Sequence, residues 1–355
     1  MLRDRVRRLG AAVLAGALVT MGAAACGGGE ESSGEAAPSG AASGGSNLKV
    51  GLAYDVGGRG DQSFNDAAAA GLDKAKAELN LAEARELSAG PGETDAQKEE
   101  RLRLLASSGY NPIIAVGFAY SGALGKVAKE FPDVKFAIVD DAVEGSNITN
   151  LLFAEHEGSF LVGAAAALKS EKNNIGFIGG VRTPLIEKFQ AGYEAGAKSV
   201  KPDIKIQSDY LTDPPDFNGF NDPAKGKTTA EGMYDAGADV IYQAAGGSGG
   251  GVFEAAKAAN AWAIGVDSDQ AKTADPGVRD VIITSMLKKV DVAVFDFIKS
   301  VSDGSVQAGP KVYDLKAGGV DYSTTGGKID DITAKLDELK QRIISGEITV
   351  PDKLS

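Results

Sequence analysis

The 355-residue sequence predicts an α/β protein of two similar lobes, each a parallel sheet covered by helices on both faces. Three observations carry that expectation. First, short Val/Ile-rich runs at 112–116, 135–139, 174–178, 239–242, 262–266 and 281–285 alternate with helical stretches rich in Ala, Lys and Glu. Strands buried on both faces read as unbroken apolar runs, and the helices between them supply the crossovers that parallel pairing needs. Second, the chain repeats itself. Asn-Pro-Ile-Ile-Ala-Val-Gly-Phe-Ala-Tyr-Ser-Gly at 111–122 leads through a helix to Phe-Ala-Ile-Val-Asp at 136–140. Asp-Val-Ile-Tyr-Gln-Ala-Ala-Gly-Gly-Ser-Gly at 239–249 leads through a helix to Ala-Ile-Gly-Val-Asp at 263–267. Gly122 aligns with Gly249 and Asp140 with Asp267 at one offset, without gaps, as two copies of one unit would. Third, residues 50–66 run from an apolar strand through a glycine-rich loop towards a helix expected over 67–79. That is the first βα corner of an open sheet, and ligands sit beyond the carboxyl ends of such strands.

In chain order, Arg3, Arg5, Arg7 and Arg8 precede an apolar run over 9–25 that is short and glycine-rich for a membrane span and reads as an export signal, residues 1–25. It ends at Ala23-Ala24-Ala25-Cys26, and Cys26 is the only cysteine, so no disulfide forms within the chain. A lone cysteine after small residues resembles the lipobox of bacterial lipoproteins, where the thiol is acylated after cleavage; Ala23 departs from the usual Leu. Residues 26–46, nearly all Gly, Ser, Ala, Glu and Pro, can bury no core and read as a flexible tether. The formal net charge is −12; loss of residues 1–25, with four Arg and one Asp, leaves about −15. That balance argues against nucleic acid as a partner.

The remaining body, about 310 residues, suits two lobes better than one core. At the first corner Asp55 and Asp61 supply acceptors, Ser63 and Asn65 supply hydrogen bonds and helix capping, and Phe64 supplies an aromatic face. The mixture suits a polar ligand with a flat ring. Asp140 and Asp267 stand where strands end, each beside a competing neighbour, Asp141 and Asp269. Other motifs fail. Gly226-Lys227-Thr228 lacks the P-loop glycine at Asn221, and Gly247-x-Gly249 meets Val252 where a dinucleotide fingerprint needs a third glycine. A site for an uncharged ligand fits these failures better than a nucleotide site. His156 is the sole histidine, which with Cys26 at the terminus argues against a zinc site and against a Cys–His pair. A helix over 289–301 and a crossing segment over 311–322 follow, then a last helix over 330–344. Its stripe of Ile332, Leu336, Leu339 and Ile343 is expected to pack on the second lobe.

The sequence resembles the basic membrane protein (BMP) family of substrate-binding lipoproteins, the purine-nucleoside receptor type serving ABC transporters. The resemblance spans nearly all of the mature chain. It rests on Asp61-Gln-Ser-Phe-Asn65, Glu155-His-Glu-Gly158 with Gly163, Gly176-Phe-Ile-Gly-Gly180 and Phe189-Gln-Ala-Gly-Tyr-Glu-Ala-Gly196. Further motifs are Phe220-Asn-Asp-Pro-Ala-Lys-Gly226, Ala244-Ala-Gly-Gly-Ser-Gly249, Gly265-Val-Asp-Ser-Asp-Gln270 and Thr284-Ser-Met-Leu-Lys288.

The resemblance implies a type I periplasmic-binding-protein fold, two doubly wound Rossmann-like lobes joined by crossover hinge strands. Residues 47–154 and 283–304 would form lobe 1, and 155–282 and 305–355 lobe 2. It further implies that Phe64 and Phe220 sandwich a nucleobase, with Phe217 competing for the second place. Asp140 would accept from the base edge with Asp55 near the same pocket, and Asp267 and Lys288 would grip the ribose, Lys289 being Lys288's competitor. The Gly246-Gly247 turn would bring backbone donors close, and His156 would lie at a hinge. The expected function is capture of a purine nucleoside outside the cytoplasm for an ABC permease, by a lipid-anchored monomer that needs no cofactor and catalyses nothing. A receptor for a sugar or another small polar solute is the second reading, and an exported nucleoside hydrolase the third.

Overall fold

The computed structural model describes residues 47–354 apart from Pro91; the export signal, Cys26 and the tether lie outside the described residues. The first lobe opens with β1 (Lys49–Tyr54), α1 (Phe64–Leu79), β2 (Glu83–Ser88) and α2 (Asp95–Ser107). It continues through β3 (Ile113–Val116), α3 (Ser121–Glu130), β4 (Phe136–Val139) and β5 (Ile148–Phe153). The chain crosses at Ala154 into α4 (Glu155–Lys169), β6 (Asn174–Val181), α5 (Pro184–Val200), β7 (Lys205–Thr212) and α6 (Pro223–Asp235). Then come β8 (Val240–Ala244), α7 (Gly249–Ala258), β9 (Trp262–Asp267), α8 (Gln270–Thr273) and β10 (Ile282–Lys288). It crosses back at Lys289 for α9 (Val290–Ser302) and β11 (Gly309–Tyr313), then returns for β12 (Val320–Tyr322) and α10 (Thr333–Ile344).

The two sheets have equivalent strand orders, β2-β1-β3-β4-β5-β11 and β7-β6-β8-β9-β10-β12. Every pairing is parallel except β10 with β12. This is the doubly wound order 2-1-3-4-5 in duplicate, with a sixth strand lent to each sheet after a crossover. The sequence repeat is realised as β3–α3–β4 and β8–α7–β9, each with a 3-10 turn before its helix.

Alternation within the strands explains the apolar runs. Ile114 and Val116 of β3, with Tyr242 and Ile264 of the second sheet, face one core that runs through both lobes. Ile113 and Ala115 face a separate core under α2 and α3, and Ile241 and Ala263 face a third under α6 and α7. Strands buried on both faces have no polar side. The edge strands β2 and β7, Glu-Ala-Arg-Glu-Leu-Ser and Lys-Ile-Gln-Ser-Asp-Tyr-Leu-Thr, escape a search for apolar runs because only half of each is covered.

Two expectations shift. Strand β10 belongs to the second sheet and β11 to the first, so sheet membership departs from a split at 283 and 305. The chain exchanges lobes after each of these strands, at Lys289 and over 314–319, and not before them. The first helix starts at Phe64 instead of 67, and Ser63 does not cap it. Asp61 does: its carboxylate accepts from the backbone N–H of Ser63 (3.0 Å), Asn65 (2.8 Å) and Asp66 (3.0 Å).

Helices α4 and α5 pack backbone to backbone. A Cβ on Gly163, Gly192 or Gly196 would strike the carbonyl oxygens of Tyr193, His156 and Phe160 respectively. These motif glycines therefore serve helix packing, and His156 sits at the head of α4 just past the first crossover.

Candidate functional site

The carboxyl ends of both sheets meet across a cleft. On the first lobe Asp55 follows β1; its Oδ1 accepts from the Val56 N–H at 2.7 Å. Its Oδ2 faces Gly117, where φ is +105° and a Cβ would come within 2.6 Å of that oxygen. Only glycine satisfies both demands there. Burial pushes the Asp55 and Asp61 carboxyls up to about 6. Asn65 holds the loop by donating Nδ2–H to the Val56 carbonyl at 3.3 Å, and its Oδ1 is buried without a partner.

Asp140 directly follows β4 and Asp267 ends β9, and both have left-handed backbone, φ +73° and +62°. The aligned aspartates of the repeat thus turn in the same way, a conformation Asp tolerates better than most residues. Burial pushes both carboxyls up, Asp140 to about 7 against the pull of Lys288. Asp140 gives one oxygen, Oδ2, to the Lys288 ammonium at 2.6 Å, while Oδ1 is buried without a donor.

Lys288, fully buried at the end of β10, is the hub of the site. Its Nζ lies 3.1 Å from Glu155 Oε1 and over the rings of Phe64, Phe153 and Phe189 at 5.2, 5.1 and 5.4 Å. Glu155 in turn accepts from Lys188 at 2.7 Å. Burial alone would raise Glu155, but Lys288 and Lys188 hold it below the usual carboxylate range. Burial alone would lower Lys288, and Asp140, Glu155 and Asp267 reverse that. A buried charge persists only when matched in this way. Ion pair and hinge coincide, because Glu155 follows the first crossover and Lys288 precedes the second.

Most of these groups line a cavity between the lobes, with Glu155 and Lys188 behind its wall; such a concave site with a few convergent polar groups is what small molecules occupy. Of the residues singled out from the sequence, Asp55, Asp61, Phe64, Asn65, Asp140, Phe220, Gly246, Asp267 and Lys288 face it; Ser63 and Gly247 do not. Ser63 donates its hydroxyl to Asp267 Oδ2 at 2.7 Å instead. Gly247 lies against the Phe220 carbonyl and Asn221.

The members of each competing pair lie in different places. Phe220 lines this cavity, while Phe217 lines a neighbouring one beside Lys98. Asp141 turns away to Ser121, Asp269 to Lys272 and Thr325, and the side chain of Lys289 lies outside the cavity. Sequence reasoning missed Phe118, Phe189 and Ile186 as walls, and Glu155 and Lys188 as supports. Phe118 stood in the repeat, and Glu155 and Phe189 stood in quoted motifs. Nothing local distinguished them from core residues.

Among the described residues no group of three or more His, Cys, Asp or Glu is placed to hold a metal ion. No helix among them is long and apolar enough to cross a membrane.

Two doubly wound lobes, three crossovers and an interlobe cavity define a solute-binding protein of the type I periplasmic class. The chain belongs to the Bmp family, ABC transporter substrate-binding protein PnrA-like, whose model matches residues 48–354. A relative from Lactococcus lactis, the "ABC transporter nucleoside-binding protein BmpA", is 38% identical over 87% of this chain and 90% of its own length. The "CD4+ T-cell-stimulating antigen" of Listeria monocytogenes is 35% identical over 86% and 89%. Among solved structures, an ABC transporter solute-binding protein from Aeropyrum pernix superposes with a TM-score of 0.75 at 32% identity, covering 86% of this chain and 94% of that one.

Proposed function

We propose that this protein is an extracytoplasmic receptor that encloses a nucleoside, of purine type, between its lobes and delivers it to an ABC permease. It would act as a monomer held at the membrane by acylated Cys26, binding without a cofactor and catalysing nothing. One observation carries the reading: Phe64 from one lobe and Phe220 from the other line the same cavity, and Asp140 Oδ1 waits there as a buried acceptor without a donor. Aromatic faces reward a flat base, and a lone acceptor rewards an N–H on its edge. Asp267, with one oxygen held by Ser63, offers the other to a ribose hydroxyl. The name of the Lactococcus relative supports a nucleoside in particular. In this reading Lys288 contributes mainly charge, since Asp140 and Glu155 already engage its ammonium.

Calorimetric titration of the full chain with inosine, guanosine, adenosine, cytidine, uridine and ribose, with each mixture assayed for free base, tests the proposal. Saturable heat from purine nucleosides without released base is the expected result. Binding of ribose but no nucleoside would replace the reading with a sugar receptor, and released base would make the protein a hydrolase.

A further inference from the structure

The two lobes touch at a place that the ligand cavity does not explain. In the first lobe the 60–66 turn is braced from within. Asp61 accepts three backbone N–H groups, and Asp66 accepts those of Gly60 at 2.7 Å and Gln62 at 3.0 Å. Held at a φ of +55°, Gln62 presents its carbonyl outward across the cleft. There it accepts from Gln270 Nε2 at 3.1 Å and from Thr273 Oγ1 at 3.3 Å. The Ser63 carbonyl accepts from Ser268 Oγ at 3.1 Å, and the Ser63 hydroxyl closes on Asp267.

The second lobe's half is equally preset. Gln270 Oε1 accepts from Gln243 Nε2 at 2.8 Å and from the Val266 N–H at 2.9 Å, which leaves its amide pointing at Gln62. Ser268, Gln270, Thr273 and Gln62 all lie outside the cavity wall.

We propose that the Gln62–Ser63 turn and the Ser268, Gln270 and Thr273 side chains form a latch that holds the lobes closed without touching ligand and sets how long a bound solute stays. The turn and Gln270 are each held by hydrogen bonds within their own lobe, so little order is lost there on closing. The acceptors at Gln62 and Ser63 are backbone carbonyls, which no side-chain change at those positions removes. Because Ser63 also grips Asp267, closing the latch fixes a cavity carboxylate, so closure and ligand contact favour one another. Ser268, Gln270 and Thr273 are positioning residues in this scheme. The solute is the nucleoside of the receptor reading, on which the residence-time arm alone rests.

The test uses Ser268→Ala/Thr273→Val, which removes two interlobe donors from positions outside the cavity, and Thr273→Ser, which keeps its donor. Dissociation of inosine is followed by stopped flow. Lobe separation in ligand-free protein is measured by electron–electron resonance between labels on non-natural residues at the exposed positions Lys129 and Lys225. With each hydrogen bond a modest net contribution, the double variant should release inosine roughly tenfold faster and shift the free protein towards open separations. Thr273→Ser should match wild type in both. Unchanged dissociation, or faster dissociation with unchanged separations, overturns the latch. Failure of the wild type to bind inosine, guanosine or adenosine refutes the purine-nucleoside reading, while the separations still decide the latch.

Discussion

Asp140 should make solute binding depend on pH. In the free protein burial raises its carboxyl to about 7, with Lys288 opposing that rise and Glu155 and Asp267 adding to it. A ligand N–H donated to the unpartnered Oδ1 favours the ionised form, so the pKa falls in the complex. The complex then carries fewer protons than the free protein. Affinity should be full above about 7 and fall by up to about tenfold per pH unit below it, until the pKa of the complex is reached. Inosine titrated by calorimetry should therefore bind roughly tenfold more weakly at pH 6 than at pH 8. Near pH 7 the heat should vary with the ionisation enthalpy of the buffer, because protons are released. Asp140→Asn should flatten the slope above pH 6.5, leaving whatever Asp55 and Asp61, both near 6, and Asp267, also raised by burial, contribute. An affinity that is flat between pH 8 and 6, or a slope above pH 6.5 that is undiminished in Asp140→Asn, would refute the reasoning.

Phe64→Ala should weaken inosine by roughly ten- to a hundredfold, the worth of one base–aromatic stack, with the circular dichroism melt nearly unchanged. Asp267→Asn, chosen because Asn tolerates the left-handed backbone at φ +62°, should also lose affinity and keep the fold; normal binding by both variants would mean the pocket is misplaced. Gly196→Ala drives a methyl into the Phe160 carbonyl and should cost about 1–3 kcal/mol in chemical denaturation, so an unchanged midpoint would contradict the backbone-to-backbone packing of α4 and α5. Lys288→Met leaves Asp140 and Glu155 without their shared cation and should cost about 3–5 kcal/mol, read the same way; a neutral result would show that the ion-pair hub is dispensable.

Much of this was legible in the residues. The apolar runs at 112–116 and 239–242 announced strands because a strand buried on both faces reads as a near-continuous apolar run. The repeat placed Asp140 and Asp267 as counterparts, and they share a strand end and a left-handed backbone. Glycine spacing in the α4 and α5 motifs was visible too, but as a family mark without a physical reason.

What stayed hidden depended on distant partners. The edge strands β2 and β7 are half-solvated and polar, so only their neighbours define them as strands. Ser63 looked like a cap or a ligand contact; its hydroxyl instead meets a residue 204 positions away. Phe220 and Phe217, Asp140 and Asp141, and Lys288 and Lys289 differ little in local sequence. The sequence by itself determined the α/β alternation, the duplication and the residue types available to a site, because these follow from periodicity and from backbone preference near each residue. Tertiary structure alone decided which member of each pair enters the cavity, that Lys288 is shared by Asp140 and Glu155, and that Gln62 meets Gln270. Burial, ion pairing and interlobe hydrogen bonds are properties of groups brought together across hundreds of residues, and no local pattern encodes them.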